Sequence, residues 1–275
     1  MHMNVKISLA GDLGSGKSTV ANILIDKLEA EYYSTGAIVR SIAARRGMTV
    51  VELNVYMETH PEIDEEIDNG LKELSTLDKS MVIDSRMAWH FTEGTFKVYL
   101  STSPEVSAFR IMNANRVGEH AATLEQTIEE TKARRNSEKK RYMEQYGVDI
   151  KDLTNYDLVV DTTMATPEQV AGTILDALDE WKENYGFKMA YVSPERLNYP
   201  DDEPDQALVD EYIKRLDIGE DVPCTEIFED DGEFYVLSSP ESALAYVFMW
   251  STYVPCKLVK GTLDGKKYVK MQNSL

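Results

Sequence analysis

The segment Gly11-Asp12-Leu13-Gly14-Ser15-Gly16-Lys17-Ser18 decides the reading of this chain. It satisfies the spacing G-x-x-x-x-G-K-[ST] throughout, and its flanks agree. Before it, Val5–Ala10 (VKISLA) has the length and apolarity of a buried strand; after it, Ser18–Leu28 carries helical apolar spacing. Strand, glycine loop and helix in that order make an anion cradle. The glycines let backbone wrap closely around phosphates, and the loop N–H groups and helix N-terminus point at them. Lys17 is then expected at the β- and γ-phosphates of ATP, and the Ser18 hydroxyl on Mg2+. Gly11, Gly14, Ser15, Gly16 and Thr19 complete the expected nucleotide-binding set. A plain glycine turn would account for the glycines but not for the Lys-Ser pair behind them.

Outward from this loop, apolar runs alternate with helical patterns. Ser80–Asp84 (SMVID), Phe96–Leu100 (FKVYL) and Tyr156–Asp161 (YDLVVD) read as further core strands. Between them, Thr35–Arg46, Val50–Thr59, Glu62–Leu74, Ser103–Ala114 and Leu124–Tyr146 read as helices, and Pro167–Asn184 follows as an amphipathic one. That rhythm predicts an α/β fold with a parallel sheet covered on both faces. Composition changes after Tyr185. Ser193–Asp205 (SPERLNYPDDEPD) reads as a connection or a domain's opening loop, followed by a helix at Gln206–Leu216 and strands at Cys224–Phe228, Glu233–Leu237 and Val254–Val259. Ala243–Trp250 fits a helix. The expected division is into residues 1–186 and a small α+β domain, residues 187–275.

Three further clusters carry chemistry. Ser34-Thr35-Gly36 with Arg40 lies one helix after the loop, a spacing at which Arg40 would hold a second phosphorylated substrate. Asp84-Ser85-Arg86 follows a core strand, at the sheet edge where ligands bind in open parallel sheets. Asp84 would hold Mg2+ through water and Arg86 would clamp a phosphate. The third is Lys132–Arg141, six cations against Glu138 alone. A helix spreads these around its axis, Arg134 sharing a face with Arg141 and Arg135 with Lys139. As a segment closing over nucleotide, joined by Arg110 and Arg116, it would supply the charge that phosphoryl transfer needs. Asp64 and Asp68 share one helical face and suit either base recognition or a solvated surface.

The chain has 275 residues, with 48 acidic side chains against 29 Lys plus Arg, a net charge of −19. That balance argues against nucleic acid or a membrane surface as partner, while leaving room for a small anionic substrate in a cationic pocket. The C-terminal part holds 9 basic and 17 acidic residues, net −8, and so opposes DNA binding in particular. The N-terminus lacks the apolar run and cleavage site of a secretion signal, and two cysteines, Cys224 and Cys256, make no disulfide framework. A cytoplasmic protein with both cysteines in the core is expected.

The elements GDLGSGKST, YYSTG…R, PEIDEEID, VIDSRMAWHF, KVYL and ARRNSEKKRYMEQYGVDIKDLTNYDLVVDTT together resemble cytidylate kinases of the short archaeal and clostridial type, over residues 4–183. The resemblance implies a nucleoside monophosphate kinase fold with a five-stranded parallel sheet, and γ-phosphoryl transfer from Mg-ATP to CMP or dCMP. It places Ser34 and Arg40 in the monophosphate site and Arg86 on the monophosphate's phosphate, and Gly36 and Asp64 are further substrate-binding candidates. It also gives catalytic roles to Lys17, Arg86, Arg135 and Arg141, the last two in a lid. Met87 and Ala37 stand where bacterial members carry acidic residues, so another nucleotide or small-molecule acceptor stays open, as does a regulatory nucleotide-binding protein. Residues 191–261 resemble the ParB/sulfiredoxin-like fold more distantly. Ser238-Ser239-Pro240-Glu241-Ser242 replaces that fold's basic phosphate-binding segment, which implies a degenerate, non-catalytic module.

Overall fold

Ile7 and Leu9 project from one side of the first strand, Ser8 and Ala10 from the other, and all four are buried. A strand buried on both faces belongs inside a layered α/β sheet. The computed structural model describes residues 4–57, 59–113, 123–184 and 186–270, and shows that arrangement. In chain order come β1 (Lys6–Gly11), α1 (Lys17–Leu28), β2 (Glu31–Ser34), α2 (Thr35–Arg46), α3 (Val50–Met57) and α4 (Glu62–Glu73). Next are β3 (Met81–Asp84), α5 (Ala88–Phe91), β4 (Phe96–Ser101), α6 (Pro104–Asn113), α7 (Leu124–Tyr146), β5 (Leu158–Asp161) and α8 (Pro167–Glu183). Residue Arg116 lies outside the described residues.

These five strands are parallel, in the order β5-β4-β1-β3-β2. The chain leaves β1 in one direction to reach β2 and β3, and later crosses to β4 and β5 on the other side. The carboxyl end of β1 therefore opens at the point where the winding reverses, and the phosphate loop starts there. On one face Leu9, Val98, Leu100, Leu158 and Val160 pack against Val20 and Leu24 of α1 and Ile174 and Leu178 of α8. Each such buried aliphatic side chain contributes about 1.5–3 kcal/mol. α8 starts at a capping box, with Thr166 accepting from the Gln169 N–H and Gln169 answering the Thr166 N–H. On the opposite face α4, α5 and α7 cover Met81 and Ile83 through Leu71, Ala88 and Tyr142.

The sheet does not stop at five strands. β6 (Met189–Val192) pairs parallel with β5, Val159 opposite Ala190. Beyond it follow β7 (Leu197–Pro200), α9 (Gln206–Asp217), β8 (Thr225–Asp230), β9 (Glu233–Ser238), α10 (Pro240–Phe248), β10 (Val254–Leu258) and β11 (Tyr268–Lys270). Their order, β11-β7-β9-β8-β10-β6, extends the parallel half into one mixed sheet of eleven strands among the described residues. Tyr99, Tyr156 and Val159 share a core with Ala190, Val192, Ala243, Val254 and Cys256. The expected division at residues 186 and 187 falls between α8 and β6, inside this common sheet. Two local expectations are corrected. Ser193–Asp205 is not all connection, because Leu197–Asn198–Tyr199 pair with β9 and β11 in spite of the flanking prolines. Cys256 is buried, but Cys224 is exposed. No described helix is long and apolar enough to cross a membrane.

Candidate active site

The loop between β1 and α1 takes a shape that only glycine supplies at two points. Gly14 has φ 73°, and a Cβ there would lie 2.7 Å from the Ser107 carbonyl oxygen. Gly16 has φ 80°, caps α1, and faces open space in which a Cβ would meet nothing within 4 Å. The first turn closes behind it, with the Thr19 N–H donating to the Gly16 carbonyl at 3.0 Å. Ser15 Oγ donates to the Asp12 carbonyl at 2.8 Å. Lys17 folds back over the loop, its Nζ 3.0 Å from the Gly11 carbonyl and 3.1 Å from that of Asp12. Arg110 ties the outside of the loop to the end of β5, bonding the Thr162 carbonyl at 2.7 Å and the Gly14 carbonyl at 3.4 Å. An open glycine cradle with an ammonium across its mouth fits a polyphosphate.

Asp84, at the carboxyl end of β3, accepts from the Tyr32 hydroxyl at 3.0 Å, and that hydroxyl also interacts with Ser18 and Ser34. Ser18, Ser34 and Asp84 thus meet around one phenol. Among the described residues no group of three or more His, Cys, Asp or Glu is arranged to hold a metal. A serine with one carboxylate close by suits Mg2+, which keeps most of its waters and takes few protein ligands. Ser34 also caps α2 by accepting from the Ala37 N–H at 3.3 Å. Arg40 crosses the Gly36 Cα, where a Cβ would come within 3.4 Å of Nη1. The guanidinium therefore lies along the start of α2 and exposes its charge.

Arg86 and Arg135 line a single cleft with Gly11, Asp12, Tyr99 and Lys151. Arg86 is paired with Glu138, and burial brings its pKa down to about 10. Arg135 pairs with the Asp12 carboxylate. Lys151 Nζ lies 2.8 Å from Asp12 and 2.9 Å from the Tyr99 hydroxyl, which itself donates to Asp12 at 2.7 Å. The Thr102 N–H donates to the other carboxylate oxygen at 3.1 Å. Burial would raise the Asp12 pKa, but Lys151 and Arg135 outweigh it and hold the carboxyl well below the usual range. Asp12, Lys151 and Tyr99 are absent from the sequence-based set. Only the placement of Asp12 inside the loop hinted at it.

The basic run on α7 is not an open cationic face. Lys132 meets Asp231 at 3.7 Å, Arg134 meets Glu138 at 3.2 Å, Lys139 meets Asp149 at 3.0 Å and Lys140 meets Glu144 at 3.8 Å. Arg141 lies over the Tyr142 ring and beside Asp64. Asp64 and Asp68 are buried, not a solvated face, and burial raises both pKa values. Asp68 accepts from the Tyr146 hydroxyl, whereas Asp64 Oδ2 is buried with no hydrogen-bond partner among the described residues. Arg141 also lies near enough to Arg86 for their like charges to oppose each other.

Residues 6–164 match the model of the cytidylate kinase-like family. The chain belongs to that family. A cytidylate kinase from Archaeoglobus fulgidus is 38% identical over 176 residues, spanning 64% of this chain and 95% of its own. One from Halobacterium salinarum is 38% identical over 178 residues, spanning 64% of this chain and 90% of its own. With the family comes the class of enzyme: a nucleotide-binding kinase of the nucleoside monophosphate type. A sulfiredoxin from Arabidopsis thaliana aligns with 28% of this chain and 90% of its own, at 26% identity and a TM-score of 0.25. The family model ends before β6, so everything from β6 to β11 is additional to it.

Proposed function

We propose that this protein transfers the γ-phosphoryl group of Mg-ATP to CMP or dCMP. The observation that carries the reading is the cleft in which the phosphate loop and two arginines, Arg86 and Arg135, stand together at the carboxyl ends of parallel strands. The acceptor is an anionic phosphate oxygen, so no protein base is required. The work is to hold two polyanions in line and to neutralise charge on the transferring group. Gly11, Gly14, Ser15, Gly16 and Thr19 hold the triphosphate, and Lys17 exchanges the Gly11 and Asp12 carbonyls for phosphate oxygens. Ser18 would hold Mg2+, with Asp84 close by, and the ion would supply positive charge against the phosphate oxygens. Arg40 and Arg86 orient the acceptor phosphate beside Ser34 and Gly36, while Arg135 and Arg141 on α7, once released from Asp12 and Asp64, would neutralise the developing charge.

Support for a cytosine acceptor comes from Asp64. Its buried, unpartnered Oδ2 needs a donor, and the exocyclic amine of cytosine is one that uracil lacks. Residues 1–186 are the kinase in this reading. Residues 187–275 form an added, non-catalytic module that continues the sheet, and the setting is the cytoplasm. A coupled assay of ADP release with Mg-ATP and each of CMP, dCMP, UMP, AMP and GMP tests it. Turnover with CMP or dCMP above the rest is expected; no turnover with any of them would sink it. A second reading, a regulatory nucleotide sensor, draws on the Arg135–Asp12 ion pair, which withholds a lid cation. Tight ATP binding without turnover would favour that reading.

A further inference from the structure

The turn between β8 and β9 reaches from the added module to the phosphate site. Arg196 anchors it: the guanidinium bonds the Gly232 carbonyl at 2.5 Å, Asp161 at 3.2 Å and the Thr163 hydroxyl at 3.0 Å, joining the turn to the end of β5. On its other side the turn touches α7. Asp231 meets Lys132, and a Cβ on Gly232 would lie 3.5 Å from Arg135 Nη1. Lys260, just after β10, lies 3.4 Å from Asp152 and lines a cleft of about 390 Å³. Glu229 lines that cleft together with Lys151 and Arg135. It accepts from the Gly232 N–H at 2.5 Å and is electrostatically coupled to Lys151, Asp12 and Arg135.

We propose that Glu229 is a positioning residue for phosphoryl transfer, acting through Lys151 on the Asp12–Arg135 pair, so that the added module supplies part of the working site. The reasoning is one of charge balance. Two cations, Arg135 and Lys151, share the single carboxylate of Asp12 in a largely buried place. Arg135 has to leave Asp12 to serve a phosphoryl group, and it leaves more readily while Lys151 remains charged and holds Asp12. Among the described residues, Asp12 from the loop, Arg135 from α7, Tyr99 from β4 and Glu229 from β8 bear on Lys151. Burial and Arg135 favour the neutral amine, while Asp12 and Glu229 favour the ammonium. Removing Glu229 therefore drives Lys151 toward neutrality and leaves Asp12 to grip Arg135.

This inference rests on the kinase reading above, so wild-type turnover is measured first; its absence would remove that reading, not this one alone. With an active full-length chain, Glu229→Gln is expected to lower kcat roughly tenfold with KM for ATP and CMP changed less than twofold. The alkaline limb of the kcat profile should also move to lower pH, because Lys151 loses its proton sooner. Gln can still accept from the Gly232 N–H, so the turn is preserved. Glu229→Asp keeps the charge and should recover most of kcat; it carries the same test should the Gln variant not fold. Asp230→Asn removes one charge from the neighbouring exposed position and should leave kcat and the pH profile unchanged. A Glu229→Gln enzyme with the wild-type kcat and alkaline limb would overturn the proposal. So would equal losses in Glu229→Gln and Asp230→Asn.

Discussion

Arg196 and Asp161 form an ion pair at 3.2 Å with side-chain exposures of 3% and 0%. The pair joins β5, a strand of the kinase core, to the segment that follows β6. Asp161 is fully occupied: Ser193 N–H donates to Oδ2 at 3.1 Å, and Thr163 donates to Oδ1 through both its N–H and its hydroxyl. Buried pairs of this kind stabilise less by their attraction than they punish the loss of one partner.

Arg196→Ala accordingly leaves the Asp161 charge buried with no cation, and should cost about 3–5 kcal/mol of stability. Urea unfolding followed by circular dichroism measures it. A loss under about 1 kcal/mol, within the range of exposed pairs, would mean that water replaces the guanidinium.

Lys17→Ala should leave the fold intact, since the Gly11 and Asp12 carbonyls that its Nζ bonds belong to the loop and not to the core. Removing one cation aimed at developing charge costs roughly 10²–10³-fold in kcat. The coupled assay reads the rate and the far-ultraviolet spectrum reads the fold. Activity within a few-fold of wild type would take the phosphate loop out of the mechanism.

Asp12 gives a pH dependence. Its folded pKa lies well below the unfolded value near 3.8 because Lys151 and Arg135 outweigh burial. A group with a depressed folded pKa stabilises above its unfolded pKa and loses that contribution as pH falls through the folded one. The acid limb of the stability curve, below about pH 4, should therefore flatten in Asp12→Asn. The same variant strands two cations at neutral pH and should be destabilised by about 3 kcal/mol, the lower end for buried pairs, because both remain partly solvated. Parallel acid limbs in the two proteins would contradict the assignment.

Asp64 and Asp68 behave in the opposite sense. Burial raises both folded pKa values, so the stabilising form is the neutral acid, complete below the unfolded pKa and lost as pH rises through the folded one. Substituting both by Asn should remove this weakly acidic decline in thermal stability. In Asp64→Asn the preference for CMP over UMP should fall roughly tenfold, the worth of one unsatisfied polar group near 1–3 kcal/mol. An unchanged preference would separate Asp64 from base recognition.

Much of the first half was legible because its signals are local. The runs at residues 5–10, 80–84, 96–100 and 156–161 are buried on both faces, so their apolarity is continuous and needs no partner to be seen. The four-residue strands were harder. Glu31–Ser34 has an exposed glutamate and two tyrosines, and becomes a strand only by pairing with Met81–Asp84. Leu197–Pro200 lies among prolines that read as loop, yet β9 and β11 supply its hydrogen bonds. Lys132–Arg141 was visible as a cluster, but three of the acids that engage it, Asp12, Asp149 and Asp231, sit outside its helix.

By itself the sequence determined the phosphate loop, the parallel α/β order and the family. Strand, loop and helix are contiguous there, and their geometry follows from backbone preferences within a few residues. Only the tertiary structure decided what surrounds that loop. Asp12 meets Arg135 from 123 residues away and Lys151 from 139 away. Glu229 faces the same group from a segment the family model does not cover. No spacing rule encodes such encounters, because they depend on how the strands are ordered in the sheet and on a core that continues from β5 into β6.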